Sequence, residues 1–317
     1  MTITDDETAR LQAAKDRIRT VFGGWTRETT LAEMRADFDA LLASGRHADI
    51  EPVEIGEMAA DRILAAGASR ARTILYFHGG GYQIGSRRSH RDLMIRLSEA
   101  SGAAVVGFDY RLAPEHRFPS AVEDGVAAYR WLLEAGIAPG AIAFAGDSAG
   151  GGLAVATMLS ARAAGLALPR AAVLLSPWLD MEATGETYES RADVDPLTQR
   201  DKILLMARTY LGRGGDPRDP LASPIHADLA GLPPMLVHVG DHETILDDSR
   251  LFAAQARAAG VAVTVSVFDD MIHHFQVFPE LDATRRSIAE IGAFLRDAWD
   301  GGERGSEATA SAEPHSA

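Results

Sequence analysis

The chain contains no cysteine among its 317 residues. Disulfide scaffolding and thiolate metal sites are thereby excluded. It also lacks any apolar run approaching the ~20 residues that a membrane-spanning helix needs. Its first residues, Met1-Thr2-Ile3-Thr4-Asp5-Asp6-Glu7, are acidic and have no apolar centre of the kind a secretion signal requires. The expectation is a cytoplasmic protein without membrane insertion. Positive charge is scarce: 31 Lys and Arg against 45 Asp and Glu leave a net charge of −14. That balance disfavours nucleic acid and anionic membrane as partners and mildly disfavours strongly anionic substrates; its plain role is solubility. No internal repeat and no metal-ligand cluster is visible, since His273-His274 alone cannot make one. Apolar residues are plentiful at 46%, enough for a sizeable core in one large α/β domain or two ordinary ones.

Apolar runs at 73–77, 103–108, 141–145, 171–175, 235–239 and 261–268 read as buried strands. They alternate with helical stretches near 88–100, 121–135, 149–164, 246–259 and 283–299. Such alternation implies a mostly parallel sheet with helices on its faces. Ahead of it, residues 5–44 read as two amphipathic helices broken near Gly23-Gly24, with Met34, Phe38, Leu41 and Leu42 at helical spacing. A further helical period joins Ile203, Leu204, Met206, Ala207, Tyr210 and Leu211. The polar, small-residue tail 301–317 is expected to be disordered.

Three motifs carry chemistry. Gly146-Asp147-Ser148-Ala149-Gly150 follows an apolar run and precedes a small-residue helix. This is the strand–turn–helix setting of a nucleophile elbow, in which glycines allow a sharp turn and expose the Ser148 hydroxyl at a helix N-terminus. Upstream, His78-Gly79-Gly80-Gly81 directly follows a strand-like run. Consecutive glycines let backbone amides reach an oxyanion, so Gly79, Gly80 and Ala149 are the expected donors. A phosphate loop would need a G-x-x-x-x-G-K-[ST] lysine, and none follows. Late in the chain, Met271-Ile272-His273-His274-Phe275 offers two adjacent candidates for a general base. The matching acid should follow the strand at 235–239, where Asp241, Glu243, Asp247 and Asp248 compete. Asp247 and Asp248 suit the N-terminus of the next helix, and Glu243 is placed ahead of Asp241. His47, His90, His116, His226 and His315 have no motif context and take surface or loop roles by default. His78 is expected to lock the glycine loop, of which Gly81 is part, and Asp147 to cap the helix or brace nearby loops. Asp109-Tyr110-Arg111 is expected to fix loops beneath the site. Tyr82 lines an acyl pocket or packs, and Trp178 and Phe275 share that ambiguity.

From His78 to Phe294 the chain resembles the bacterial hormone-sensitive-lipase-like esterases of the α/β-hydrolase superfamily. The resemblance rests on His78-Gly79-Gly80-Gly81, Asp109-Tyr110-Arg111-Leu112-Ala113-Pro114-Glu115, Gly146-Asp147-Ser148-Ala149-Gly150-Gly151 and Ser176-Pro177-Trp178-Leu179-Asp180. It continues through Asp219-Pro220-Leu221-Ala222-Ser223-Pro224, Gly231-Leu232-Pro233-Pro234 and His273-x-Phe275. It implies an α/β-hydrolase core at 51–182 and 215–300, with helical cap segments at 1–50 and 183–214. It places His273 in the H-x-F position and Glu243 at the head of a D-x-L-x-D pattern that here reads Glu243-Thr244-Ile245-Leu246-Asp247. The implied activity is cofactor-free hydrolysis of short- to medium-chain acyl esters by Ser148, His273 and Glu243. The Glu form and the segment Trp25-Thr26-Arg27-Glu28-Thr29-Thr30-Leu31 also resemble terpenoid lactone hydrolases, which makes lactones the alternative substrate. A binding-only receptor of related fold would have lost its histidine, whereas all three residues are present here. Relatives often form homodimers through the last strand and helix, here 261–268 and 283–299.

Overall fold

Period-two alternation decides how the central strands face two different layers. In β3 (Ser69–Phe77), Ile74 and Tyr76 pack on one side while Leu75 and Phe77 pack on the other. The computed structural model describes residues 4–310. The remaining strands are β1 (Asp49–Ile55), β2 (Met58–Leu64), β4 (Ala103–Phe108), β5 (Ile142–Asp147), β6 (Ala171–Leu175), β7 (Met235–Gly240) and β8 (Val263–Phe268). They form one sheet in the order β1-β2-β4-β3-β5-β6-β7-β8. The pairs β1–β2 and β2–β4 are antiparallel and all later pairs are parallel.

The six apolar runs are all strands. The hairpin β1–β2 was not expected from the sequence, because its strands are partly exposed and mixed with charge. Pro52 sits in β1, which pairs only with β2, so its missing N–H breaks no inner ladder. Helices α3 (Arg91–Ser101) and α9 (Asp282–Ala310) cover one face, where Leu93, Leu97, Ile291 and Leu295 meet Ile74, Val105 and Val173. Helices α4 (Ser120–Glu134), α5 (Ala149–Ala163) and α8 (Leu246–Ala258) cover the other.

Two further groups of helices lie outside this sandwich. Helix α1 (Asp5–Gly24) inserts Leu11, Ala14 and Ile18 among Met271, Ile272, Phe275 and Phe278. Its buried Glu7 carboxylate accepts from the amides of Asp282 and Ala283, satisfying the first turn of α9. Helix α2 (Leu31–Leu41) opens with a capping box between Thr30 and Glu33. Between β6 and β7 come the short α6 (Thr187–Ser190) and α7 (Arg200–Leu211), the latter burying Ile203, Ala207 and Tyr210. At the other end, α9 continues to Ala310, ten residues into the stretch read as a disordered tail; 311–317 lie outside the described residues. Extending an existing helix adds a hydrogen bond per residue fixed, a smaller demand than forming a new one. No helix among the described residues is long and apolar enough to cross a membrane.

Phe144 on β5 sits beneath the elbow, fully buried, with its ring 5.1 Å from Phe77 and 5.0 Å from Tyr129. Replacing it by alanine should cost ~3–5 kcal/mol of stability through lost contacts and the cavity left behind. Urea unfolding of Phe144→Ala measures this, and a cost below ~1 kcal/mol would contradict the packing described.

Candidate active site

β5 ends at Asp147 and α5 begins at Ala149, so the chain turns from strand to helix on Ser148 alone. Its backbone lies at φ 50° and ψ −123°, a region that L-residues adopt only when their surroundings enforce it. Those surroundings are specific. The Ser148 amide donates to the Leu175 carbonyl at 2.9 Å, and the Ser148 carbonyl accepts from Gly151, Gly152 and Trp178. Glycines remove the steric obstacle. A Cβ on Gly150 would lie 2.0 Å from the Phe77 carbonyl oxygen, and one on Gly146 would lie 2.4 Å from that of Gly150.

The structure brings Ser148, His273 and Glu243 into one line. His273 Nε2 lies 2.9 Å from Ser148 Oγ, and His273 Nδ1 lies 2.9 Å from Glu243 Oε2. Glu243 is fully buried. Its other oxygen accepts from Ser176 Oγ at 2.7 Å and from the Gly240 amide. Asp241 is only half-buried and lies toward His242, so among the two competing acids it is Glu243 that meets the imidazole. Burial alone would lower the His273 pKa. The Glu243 carboxylate, by hydrogen bond and by charge, more than offsets this and raises it. Burial likewise pushes the Glu243 carboxyl up, opposed by donation from His273, Gly240 and Ser176.

Ser176 braces the acid, a role its motif does not reveal. It adopts a left-handed backbone at φ 44°, donates to Glu243 and accepts from the His274 amide at 3.2 Å. His274 also has a left-handed backbone, at φ 57°. His273 itself, the residue between the acid and the serine, comes from a loop packed against α1.

The glycine loop corrects one expectation. The Gly79 amide donates to Asp147 Oδ1 at 3.0 Å, so it is not available to an oxyanion. The amides of Gly80, Gly81 and Ala149 make no hydrogen bond within the described residues. Gly79 is thus engaged elsewhere, and Gly80 and Gly81 are the loop amides without a partner among the described residues. Gly80 and Gly81 both have positive φ, at 114° and 61°, and a Cβ on Gly80 would strike the Ile84 carbonyl oxygen at 2.2 Å. His78 locks this loop as expected, through Nδ1 to the Gly79 carbonyl at 2.8 Å and by stacking on Tyr110. Burial, followed by the neighbouring His90, pushes the His78 imidazole down to about 4.

Asp147 braces loops and does not cap α5. It is fully buried and accepts from Tyr76 Oη at 2.6 Å as well as from Gly79. His90 Nε2 is hydrogen-bonded to it at 3.3 Å, and His274 Nε2 lies 3.2 Å away without hydrogen-bond alignment. His90 was assigned a surface or loop role; it is instead completely buried, because folding brings it under a carboxylate 57 residues away. Burial opposes the charge on Asp147. The facing His274 and His90 rings, with the hydrogen bonds from His90 and Tyr76, outweigh it and hold the carboxyl well below its usual range. Among the described residues, His90, Asp147 and His274 are also one of two groups spaced to hold an ion, Asp180, Glu182 and His226 being the other. Neither could be seen in the sequence, where His90, Asp147 and His274 lie far apart and His226 lies far from the neighbouring Asp180 and Glu182.

Two readings left open by the sequence become specific. Asp247 and Asp248 do lie in the first turn of α8, but neither caps it. Asp248 accepts from the amides of Leu179 and Asp180, and Asp247 accepts from the amide of Thr187. Tyr82 is buried and stacks on Tyr210 of α7 with ring centroids 3.8 Å apart. That is a packing pillar between the glycine loop and the 183–214 segment. Asp109 accepts from the Arg87 amide at 2.7 Å and Arg111 pairs with Asp124, so this motif fixes loops as expected. His315 lies outside the described residues.

A mostly parallel sheet with a serine on a tight strand-to-helix turn defines the class, and the α/β-hydrolase fold family matches residues 74–277. The chain belongs to that family and, within it, to the bacterial hormone-sensitive-lipase-type carboxylic ester hydrolases. It is 47% identical over 247 residues to an acetyl-hydrolase of Streptomyces hygroscopicus, covering 78% of this chain and 82% of that protein. It is 36% identical over 250 residues to an esterase of Acinetobacter venetianus, with the same coverage. A crystal structure of an esterase from the bacterial hormone-sensitive lipase family superposes with a TM-score of 0.88 at 44% identity, covering 94% of this chain and all of that one.

The elbow glycines can be tested directly. Gly150→Ala should lower the melting temperature and suppress activity, because the new methyl group meets backbone rather than a movable side chain. Gly140→Ala, with nothing within 4 Å of its Cβ position, should behave as the parent protein does. Equal melting temperatures for the two variants would refute the close-approach account.

Proposed function

We propose that the protein hydrolyses short- to medium-chain acyl esters through a Ser148–His273–Glu243 triad and an acyl-enzyme. The observation that carries this reading is the unbroken hydrogen-bond line from Ser148 Oγ through both His273 nitrogens to Glu243. His273 Nε2 takes the hydroxyl proton as Ser148 Oγ attacks the ester carbonyl carbon. The carbonyl oxygen gains the charge and accepts from the amides of Gly80, Gly81 and Ala149. Glu243 fixes the proton on Nδ1 and stabilises the imidazolium. Collapse breaks the bond to the alkoxy oxygen, which leaves as alcohol with the proton from Nε2. Water then attacks the acyl-enzyme by the same route, releasing the carboxylic acid and restoring Ser148. No cofactor enters any step. The substrate class is a small neutral ester.

Two observations support a short acyl group. The Met206 sulfur lies 2.3 Å from where a Cβ on Gly81 would be, so α7 rests directly on the oxyanion loop and confines the space above it. The Streptomyces relative is an acetyl-hydrolase, and a structural neighbour at 41% identity was soaked with p-nitrophenyl butyrate. The segments 1–50 and 183–214 are the cap in this reading.

Hydrolysis of p-nitrophenyl esters from acetate to palmitate tests it. Acetate and butyrate should be the best substrates, and Ser148→Ala should lower kcat by about 10^4-fold or more. Glu243→Gln should cost about 10^3–10^4-fold, while Asp241→Asn should stay within about twofold. Full activity in Glu243→Gln would overturn the triad. The pH dependence has a definite sign. His273 must be neutral to accept a proton, so kcat/KM falls as pH drops through its pKa, which the Glu243 charge places above the ordinary imidazole value. An acid limb lying below pH ~6.5 would contradict that assignment.

A further inference from the structure

We infer that the 183–214 segment clamps the loop that carries Glu243, and that Asp195 acts through Thr244 as the positioning residue of the triad acid. The inference rests on the triad proposed above.

Thr244 follows Glu243 directly and is completely buried. Each of its polar groups is held by the 183–214 segment. Its amide donates to Asp195 Oδ2 at 2.9 Å, and its hydroxyl donates to the Thr198 carbonyl at 2.9 Å. Its carbonyl accepts from Thr187 Oγ1 at 2.8 Å. The grip extends to Asp247, whose amide donates to Thr187 Oγ1 at 3.0 Å while its carboxylate accepts from the Thr187 amide at 3.1 Å. On the core side, Glu243 itself is held by Ser176 and the Gly240 amide, and His242 by the Met271 carbonyl. The acid loop is therefore suspended between the core and the segment above it.

Asp195 is built for this task. It is 3% exposed, and no cation lies within ion-pair distance of it among the described residues. Its Oδ1 accepts from the amides of Leu197 and Thr198, and its Oδ2 accepts from the Thr198 hydroxyl and the Thr244 amide. A buried carboxylate with every acceptor site filled is held in one orientation. Among the described residues, its one side-chain hydrogen bond outside its own turn is to the peptide that follows Glu243. The triad acid holds its imidazole through one hydrogen bond, and a displacement of ~1 Å at such a contact can cost ~10^2-fold in rate. The segment thus sets the acid as well as the pocket, and whatever moves that segment moves Glu243.

The Asp195 charge also reaches His273. The charged groups acting on that imidazole are Glu243, Asp195 and Asp147, with the His274 ring beside it; Lys15 on α1 also interacts electrostatically with Asp195. Removing the Asp195 charge should make the His273 imidazolium less stable.

The test compares Asp195→Asn, Asp195→Glu and Thr244→Val in the full chain on p-nitrophenyl butyrate, with Ser148→Ala alongside. Asp195→Asn should lower kcat about 10–100-fold with KM within about twofold, and move the acid limb of kcat/KM to lower pH. Asp195→Glu keeps the charge and should leave the limb in place. Thr244→Val keeps the shape and the charge, and should lower kcat about 3–10-fold with the limb unmoved. A rise in KM with unchanged kcat and unchanged acid limb in Asp195→Asn would overturn the inference and leave the segment as pocket wall. If Asp195→Asn fails to fold, unchanged kcat in a folded Thr244→Val would overturn the clamp on the acid loop, and with it the inference. Activity surviving in Ser148→Ala would refute the triad reading instead, so the two failures are distinguishable.

Discussion

The site depends on one buried charge. Asp147 precedes Ser148, has no exposed surface, and gathers four groups from three separate parts of the chain. Tyr76 comes from β3, Gly79 from the oxyanion loop, His90 from the turn before α3, and His274 from the loop that presents His273. Burying a carboxylate is costly unless donors satisfy it, so the four must converge for the core to form around it. Once they converge, Ser148, the glycine loop and the loop that presents His273 share a common anchor. The Gly79 amide is consumed in this anchor, which leaves the next two amides of the loop for chemistry.

Strain is concentrated in the same place. Ser148, Ser176 and His274 all hold left-handed backbone, at φ 50°, 44° and 57°. Such conformations cost ~1–3 kcal/mol each and persist only where surroundings over-determine them. Here each is fixed by hydrogen bonds across elements: the Ser148 backbone to β6 and the loop after it, the Ser176 backbone to β7, and the His274 amide to the Ser176 hydroxyl. The sheet supplies the rigid frame, and the helices outside it secure the loops. Helix α1 packs on the base loop, α2 reaches the oxyanion loop through Arg35 to the Gln83 carbonyl at 2.8 Å, and the 183–214 segment holds the acid loop. The appended helices thus act on the loops that carry chemistry.

Much of this was legible before folding, because local patterns encode it. The six apolar runs and the glycines around Ser148 state strand, turn and helix directly, and the glycine tripeptide states an amide-rich loop. The choice of Glu243 over Asp241 came from register, and the hydrogen bond to His273 agrees with it. What was missed depends on long-range geometry. Which glycine amide faces the site depends on whether Asp147 takes one of them, and no spacing reveals that. His90 has no motif, and its burial follows only from the position of β5 beside β3. The hairpin β1–β2 carries too much charge to stand out as strand, since its outer face meets solvent. The extension of α9 past residue 300 runs against its glycine-rich composition and is visible only in the fold.

The central claim is that Ser148 forms a covalent tetrahedral adduct whose oxygen is held by amides left free by Asp147. A crystal structure of the protein inactivated by a p-nitrophenyl alkylphosphonate measures this most directly. The account predicts phosphorus bonded to Ser148 Oγ, one phosphoryl oxygen ~3 Å from the amides of Gly80, Gly81 and Ala149, and the Gly79 amide still on Asp147. A phosphoryl oxygen bound by the Gly79 amide, or turned away from the loop altogether, would contradict it.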